Sequence, residues 1–313
     1  MEIALLMFPA LLILLIVGIP VAYSLFAVAF GFGVLRFGDK AVFQFVFNVQ
    51  DVAGNYIIAA VPLFVFMGCM LERAGIAERL FEAFHLWTRR LPGGLAIGTI
   101  LLGVVFAAAS GVVGATETVI GLLAIPIMMK HNYDKSLISG TICSGGSLGT
   151  VIPPSVLVII LAPIADVSVG DLFAGLLFPG LIMAGLFVLY ILVRCTINPS
   201  LAPRDTSVES SVDWFTMIRI TVVALIPPVF LIFTVLGTIL MGLATPTEAA
   251  ACGAVGAVVL TALNGQFNLS TLAQAARQTV MVTVMILTIL LAGNMFASVF
   301  IASGGVSAVQ GLL

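Results

Sequence analysis

Residues 144–155 read SGGSLGTVIPPS, a stretch without charge that contains three glycines and two adjacent prolines. Long apolar stretches flank it on both sides. Glycine and proline are the weakest helix formers, so this stretch predicts a break within an otherwise helical segment. Non-helical backbone survives at membrane depth only where it is buried in protein or lines a wet cavity. The stretch therefore marks a candidate site if the surrounding chain lies in a membrane.

The composition is that of an integral membrane protein. Hydrophobic residues make up 61% of the 313 residues and charged residues 8%, whereas soluble domains average about 45–50% and about 25%. The net charge of -2 is too small to indicate a nucleic-acid partner. The predicted fold class is therefore an all-α polytopic protein that has the lipid bilayer as a partner.

Glycine and proline divide the apolar stretches into helices. The run from Ile3 to Leu35 carries no charge, and as one helix it would be about 50 Å long, which exceeds a hydrocarbon core of about 30 Å. Gly18, Ile19 and Pro20 mark the predicted break. We predict full spans at residues 2–17, 20–35, 55–71, 137–165, 171–195, 218–242, 246–263 and 280–302.

The segment 95–129 is also apolar, but it predicts a different structure. It holds a single charge, Glu117, and is interrupted at 107–116 by AAASGVVGAT. Each half would be a helix of about 15 residues, which is too short to cross a bilayer. We therefore predict a re-entrant hairpin with Ser110 and Gly111 at its tip.

The basic residues predict the orientation. With the N-terminus outside, Arg36 and Lys40 lie outside, and the other ten of the twelve lysines and arginines lie inside. This excess fits the positive-inside rule and predicts a hairpin that opens from the cytoplasm. Residues 76–91 have an apolar side and a charged side, which is typical of an interfacial helix; a solvated cap over a loop is the alternative.

Weak internal similarity predicts two repeat units. GIPVAYS at 18–24 resembles LATPTEA at 243–249, and shorter matches recur at similar offsets. The division is a first unit at 1–195, with five spans and the hairpin, a polar cytoplasmic linker at 196–217, and an incomplete second unit at 218–313. Because an odd number of spans starts the second unit on the opposite face, the repeats would be inverted, as in many secondary transporters.

The helix break offers groups that suit ions. Pro153 and Pro154 lack N–H groups and free the carbonyls one turn earlier, around Gly149 and Thr150. Freed carbonyls and hydroxyls are hard oxygen ligands that suit a small alkali cation, and the helix that follows offers a positive dipole end for an anion. Ser110 and Thr116 of the hairpin tip could complete the shell. The alternative is a proline kink that serves packing.

Three blocks of sequence carry a resemblance to a known family. They are AASGVVGATETVIGLLAIPIM at 108–128, YDKSLISGTICSGGSLGTVIPPS at 133–155 and LATPTEAAACGAVGA at 243–257. They resemble the large membrane subunit of the tripartite ATP-independent periplasmic (TRAP) transporters, over essentially the whole chain. The resemblance implies a sodium-driven elevator in the bacterial inner membrane that imports organic acids. It also implies two partners, a small membrane subunit and a periplasmic substrate-binding protein.

The resemblance also implies where the site lies. A first sodium site would lie between the hairpin serine and the unwound segment, with sodium ligands at Ser110, Gly146, Gly149, Ile152 and Pro154. Backbone and hydroxyl groups for the carboxylate substrate would come from Gly111, Thr116, Ser144, Ser147 and Ser155. The second hairpin of the family has no counterpart in this sequence, and the repeat offset places it near positions 330–340, beyond Leu313. We therefore expect the natural chain to continue.

Rival functions have weaker support in the sequence. Residues 145–149, GGSLG, fit the GxSxG pattern of serine hydrolases, but neither histidine is placed to act as the base for Ser147. A passive channel would also fit an apolar chain, as would a related sodium/carboxylate transporter that needs no binding protein. Glu248 follows Thr245 and Pro246 and predicts a capping box. Glu117 could support the hairpin tip or contact an ion or substrate, and without a histidine relay sodium is the favoured coupling ion over a proton.

Overall fold

The computed structural model describes residues 2–111, 113–203 and 214–311. Within these residues the chain is helical, with no strand. The helices are α1 (Glu2–Ile16), α2 (Val21–Phe37), α3 (Lys40–Gly54), α4 (Ala60–Glu72), α5 (Ile76–Thr88), α6 (Gly94–Ser110), α7 (Val113–Lys130), α8 (Lys135–Val151), α9 (Val156–Ala165), α10 (Val169–Ile197), α11 (Trp214–Leu240), α12 (Pro246–Leu263), α13 (Leu269–Ala302) and α14 (Gly305–Gln310), with 3-10 turns at Tyr56–Ala59 and Pro199–Leu201. This confirms the all-α prediction.

Several helices are long and apolar enough to span a membrane. Among the described residues these are 135–165, which joins α8 and α9, and helices α10 to α13; α3 and the segment Tyr56–Glu72, bent by 56°, could form one more. The helices predicted at 2–17 and 20–35 both form, but α1 and α2 have only 15 and 17 residues. They measure about 22 and 26 Å, less than a hydrocarbon core of about 30 Å. The chain is a multi-pass membrane protein.

The predicted break at 18–20 is confirmed, because α1 ends at Ile16 and α2 begins at Val21. Helix α3 was not predicted. Its polar residues Gln44, Asn48 and Asp51 recur at helical spacing among aromatic residues, which gives an amphipathic helix and not an apolar span. A search for long apolar runs therefore passes over it.

The chain divides into two compact units, Met1–Ile58 with Met281–Leu313, and Ala59–Val280. The first unit has a core of Met7, Val28 and Met295 with Ala29, Phe296 and Val299. Its Phe8 ring meets the rings of Phe296 and Phe300 edge-on, at centroid distances of 5.6 and 5.3 Å. This division by contacts does not test the repeat units predicted at 1–195 and 218–313. The described part of the predicted linker shows α10 continuing to Ile197 and α11 starting at Trp214, while residues 204–213 lie outside the described ranges.

Close helix packing at glycines organises the second unit. Helices α6, α7 and α8 pack against one another, and α4 packs against α12. A Cβ built on Gly103 of α6 would lie 2.8 Å from the carbonyl oxygen of Gly145 on α8. Small residues permit this approach of backbone to backbone, which is a common basis of helix association in membranes. The packing brings the tip of α6 and α7 beside the end of α8.

The capping box predicted at the start of α12 is confirmed. The Thr245 N–H donates to Glu248 Oε2 at 2.8 Å, and the Glu248 N–H donates to Thr245 Oγ1 at 3.3 Å. Pro246 occupies the first helical turn, where its missing N–H costs nothing. Glu248 is therefore a structural residue of the helix N-terminus.

The capping box leads to a stability prediction. Thr245→Ala should lower the free energy of unfolding by about 1 kcal/mol, because it removes the acceptor for the Glu248 N–H. The melting temperature of the purified protein in detergent measures the change. Thr234→Ala is the matched control, since that hydroxyl lies mid-helix and bonds only its own helix backbone at Phe230. Equal melting temperatures for the two variants would contradict the role of the cap.

Candidate functional site

The tip of the α6–α7 pair is a tight, buried turn. Helix α6 ends at Ser110, and Gly111 adopts a left-handed conformation with φ 61° while its N–H bonds to Ala107 O at 3.0 Å. Helix α7 begins at Val113. The predicted turn at Ser110 and Gly111 is confirmed, but the interruption is shorter than the predicted 107–116, because α6 is helical to Ser110 and α7 is helical from Val113. That the hairpin is re-entrant stays a prediction.

Two hydroxyls at this tip are buried and paired. Ser110 is 2% exposed and Thr116 0%, and their hydroxyl oxygens are 2.7 Å apart. The Ser110 hydroxyl also lies within donating distance of Phe106 O, at 2.9 Å, and either hydroxyl could be the donor within the pair. A hydroxyl has one hydrogen and two lone pairs. At most one lone pair of Ser110 Oγ accepts from Thr116, so at least one remains that could face a cation.

The break in the polar stretch is shorter than predicted. Helix α8 runs through Gly145, Gly146 and Gly149 to Val151, and only 152–155 is non-helical, with a cis peptide bond between Pro153 and Pro154. The prediction that 144–151 is unwound is wrong. The two prolines remove donors only at their own positions, so the carbonyls of Gly149 and Thr150 lose their partners while the helix geometry persists.

The glycines of α8 serve close packing. A Cβ on Gly146 would overlap the Glu117 side chain of α7. Glu117 therefore lies against α8, just beyond the hairpin tip. This position is compatible with the predicted role in supporting the tip. The resemblance implied Gly146 as a sodium ligand, but Gly146 lies within α8, where a backbone carbonyl takes part in the helical hydrogen bonds.

The hairpin tip is seated directly on the helix break. The Val156 N–H, at the start of α9, donates to Gly111 O at 3.3 Å. A Cβ on Gly111 would overlap the Pro154 carbonyl oxygen and lie 3.3 Å from Ser155 Cα. The structure thus brings together five of the predicted residues: Ser110, Gly111, Thr116, Pro154 and Ser155.

Ser155 contributes an unpaired polar group. The residue is fully buried, and its Oγ has no hydrogen-bond partner within the described residues. A buried hydroxyl without a partner costs about 1–3 kcal/mol, so Ser155 is a candidate donor to a bound group beside the tip. Ile152 lies at the other edge of the break, where its side chain packs on Gly180 of α10.

Ser144 and Ser147 lie on a different part of α8. Ser144 lines a separate cavity beside α10, and its carbonyl accepts a hydrogen bond from the Ser147 hydroxyl at 2.9 Å. Neither is brought to the hairpin tip by any contact that the structure records. Ser147 lies within a helix, not at the strand-to-helix turn that a hydrolase nucleophile occupies, so the GxSxG pattern has no structural support.

The sequence analysis missed one contributor to the tip, Gly68, and a buried acid elsewhere on α4, Glu72. Gly68 of α4 lies under the tip, since a Cβ there would be 2.7 Å from Ser110 Cα. Glu72 ends α4 with its side chain only 7% exposed, 3.8 Å from Arg73, which in turn donates to Gln278 of α13. In the sequence, two adjacent charged residues such as Glu72 and Arg73 are typical of a loop boundary. The burial of Glu72 arises only from the packing of helices around it.

The oxygen groups at the tip and break are of the kind that could hold a hard cation. Hydroxyls of Ser110 and Ser155 and the carbonyl of Pro154 are neutral, hard ligands of the kind that suit alkali and alkaline-earth cations. The described residues contain no cluster of three or more histidine, cysteine or acidic side chains of the kind that holds a transition metal. Glu117, against Gly146, is the nearest acid to the tip in sequence.

Comparison with known proteins gives the family. The family model described as "Tripartite ATP-independent periplasmic transporter, DctM component" matches residues 8–313. The chain belongs to this family. The resemblance of the three sequence blocks is thereby confirmed.

Similar proteins carry transporter names. The C4-dicarboxylate TRAP transporter large permease protein DctM of Pseudomonas aeruginosa is 31% identical over 269 residues, which are 85% of this chain and 61% of the relative. The DctM of Vibrio cholerae is 33% identical over 77% of this chain and 52% of its own length. An ectoine/5-hydroxyectoine TRAP large permease, UehC of Ruegeria pomeroyi, is 30% identical over 93% of this chain and 67% of its own. The chain therefore spans between about half and two thirds of these DctM-family proteins, all of which are named as permeases and not as enzymes.

Proposed function

We propose that this chain forms the ion- and solute-binding part of a sodium-coupled TRAP permease that imports an organic acid. The observation that carries the proposal is the buried Ser110–Thr116 hydroxyl pair seated on the helix break at 152–155. The protein would lie in the bacterial inner membrane with its N-terminus in the periplasm. Its partners would be a small membrane subunit and a periplasmic substrate-binding protein that delivers the solute.

Sodium would bind between the hairpin tip and the end of α8. The ligands are the Ser110 hydroxyl and carbonyls from Gly149, Ile152 and Pro154. The C-terminal end of α8 adds the negative end of a helix dipole, which favours a cation. Gly146 lies inside the helix and would not be a direct ligand. Its role would be to leave room for the Glu117 side chain against α8.

The carboxylate of the solute would bind on the other side of the break. Helix α9 starts at Val156 with the positive end of its dipole directed at the break. Ser155 and Gly111 lie beside it, and the free Ser155 hydroxyl can donate to a carboxylate oxygen. Such a site recognises a carboxylate group without reading the rest of the solute, so the choice of organic acid would rest with the binding protein.

Coupling to sodium fits these groups better than coupling to protons. Hydroxyl and carbonyl groups do not exchange protons near neutral pH, and the described tip contains no histidine. Movement would follow the elevator scheme, in which the hairpin and the broken helix carry the solute together across the membrane. This requires the hairpin to be re-entrant and open to the cytoplasm.

The sodium dependence of uptake tests the proposal. In proteoliposomes that contain the natural large subunit, its small subunit and the binding protein, Ser110→Ala should raise the sodium concentration for half-maximal uptake. Loss of one ligand to a charged ion costs about 1.5 kcal/mol, which is about tenfold in that concentration.

Ser139→Ala is the matched control, because that exposed hydroxyl bonds only to Ser136 O on the same helix. An unchanged sodium dependence in Ser110→Ala would remove Ser110 from the ion site. Uptake that persists without the binding protein would instead favour the related class of transporter that needs none.

A further inference from the structure

The cavity that Ser144 lines lies on the side of α8 near its N-terminus. It has a volume of about 200 Å³ and lies between α8, α10 and the 3-10 turn at 199–201. Its lining includes Ser136, Gly140, Thr141, Phe187, Tyr190 and Arg194. Apart from Ser144, none of the predicted ion- or solute-binding residues belongs to it, so it is distinct from the site at the hairpin tip.

The polar groups of this cavity have unmet bonding capacity. Thr141 is only 3% exposed, and its Oγ1 has no hydrogen-bond partner within the described residues. Arg194 forms no ion pair with any residue that the structure describes. A buried hydroxyl donor and an unpaired guanidinium that line one cavity are suited to an anion with several acceptor oxygens.

Ser136 is already engaged and does not add to this donor set. Its N–H and its hydroxyl both donate to the Asp134 carboxylate at the start of α8. These bonds hold the pKa of Asp134 below its usual range, so the carboxylate stays ionised near neutral pH. The anion would therefore bind toward Thr141 and Arg194, away from Asp134.

The surroundings of the cavity are those of a lipid headgroup. Arg194 lies in the last turn of α10, and Tyr190 one turn earlier is 64% exposed. Tyrosine and arginine near the ends of membrane helices are typical of the interfacial region. Phe187 precedes Arg194 by seven residues, about 10 Å along the helix toward the apolar interior. The exposed face of α10 continues in that direction with Leu186 and Ile182.

We propose that this cavity binds an anionic phospholipid, with its phosphate at Arg194 and Thr141 and an acyl chain along Phe187. Charge complementarity selects an anionic headgroup, and the apolar face that continues from the cavity selects a lipid over a small free anion. Basic pockets between membrane helices on the cytoplasmic side are suited to such headgroups. The predicted orientation places Arg194 on that side.

Lipid binding to the purified subunit complex tests the proposal. The natural large subunit with its small subunit is delipidated in detergent and titrated with phosphatidylglycerol or phosphatidylcholine, and bound lipid is counted by native mass spectrometry. We expect tighter binding of phosphatidylglycerol. Arg194→Gln should weaken it about fivefold, the factor expected for one basic residue near an anionic headgroup. Arg219→Gln is the control, because Arg219 is also basic and exposed but does not line the cavity.

The Thr141 hydroxyl provides a second, independent measurement. Thr141→Val keeps the shape of the side chain and should weaken phosphatidylglycerol binding with no loss of melting temperature in the delipidated state. A higher melting temperature with unchanged lipid affinity would overturn the proposal, because the hydroxyl would then be only a packing defect.

Two further outcomes would also overturn the proposal. One is equal binding of phosphatidylglycerol and phosphatidylcholine by the unaltered protein. The other is displacement of phosphatidylglycerol by millimolar inorganic phosphate, which would identify a site for small anions.

Discussion

Gly111→Ala should abolish most of the uptake by the complete transporter and lower the melting temperature of the large subunit. Alanine at φ 61° costs roughly 1–2 kcal/mol of backbone strain. Its Cβ would also overlap the Pro154 carbonyl oxygen, and overpacking of this kind costs about 1–3 kcal/mol more. Because Pro154 lies in a break held between two helices, relief of the overlap would lift the hairpin tip away from the candidate ion site.

Gly242→Ala separates strain from contact. Gly242 has a similar φ of 69°, and a Cβ there would have nothing within 4 Å. This control should show only the cost of strain and should transport normally. If the two variants were equally stable and equally active, the seating of the tip on Pro154 would be unimportant.

Gly146→Ala should also inactivate transport, through the contact between α8 and α7. The new Cβ would overlap the stem of Glu117, at an overpacking cost of about 1–3 kcal/mol. Better helix propensity would offset about 1 kcal/mol of this cost. The net loss of stability is therefore moderate, and the larger effect is displacement of the hairpin from α8. Melting temperature and initial uptake rate measure the two effects.

Two companion variants identify the cause. Gly175→Ala on α10 places its Cβ in open space, so it should be neutral or stabilising. In the double variant Gly146→Ala, Glu117→Ala, the overlapping stem is absent and the melting temperature should recover. Additive losses in the double variant would show that the two residues do not interact.

Local signals in the sequence predicted several helix ends and turns correctly. The break at Gly18–Pro20, the turn at Ser110–Gly111 and the capping box at Thr245–Glu248 all form where the residue types require them. Each depends on backbone geometry within a few residues, so no knowledge of distant neighbours is needed. The pairing of the tip with the proline break was implied by the resemblance to the TRAP large subunit.

Features that depend on packing were beyond the sequence. Gly145, Gly146 and Gly149 looked like an unwound stretch, yet all three are helical in α8, where Gly145 lies against α6 and Gly146 against α7. Glycine is typical both of unwound backbone and of close helix packing, and only the neighbouring helices in the structure distinguish the two. The unpaired hydroxyl of Ser155 likewise depends on which groups surround it. Gly68 and Ser110 are 42 positions apart in the sequence, so no local sequence pattern predicts their contact.

The short break between α8 and α9 has a thermodynamic consequence. Only 152–155 separates the end of one helix from the start of the next, so a cation and a carboxylate at those ends would be near neighbours of opposite charge. Each would then stabilise the other, and linkage requires the effect to be reciprocal. The factor by which sodium tightens solute binding must equal the factor by which the solute tightens sodium binding. Four residues of irregular backbone would in this way set the strength of ion–solute coupling in the transporter.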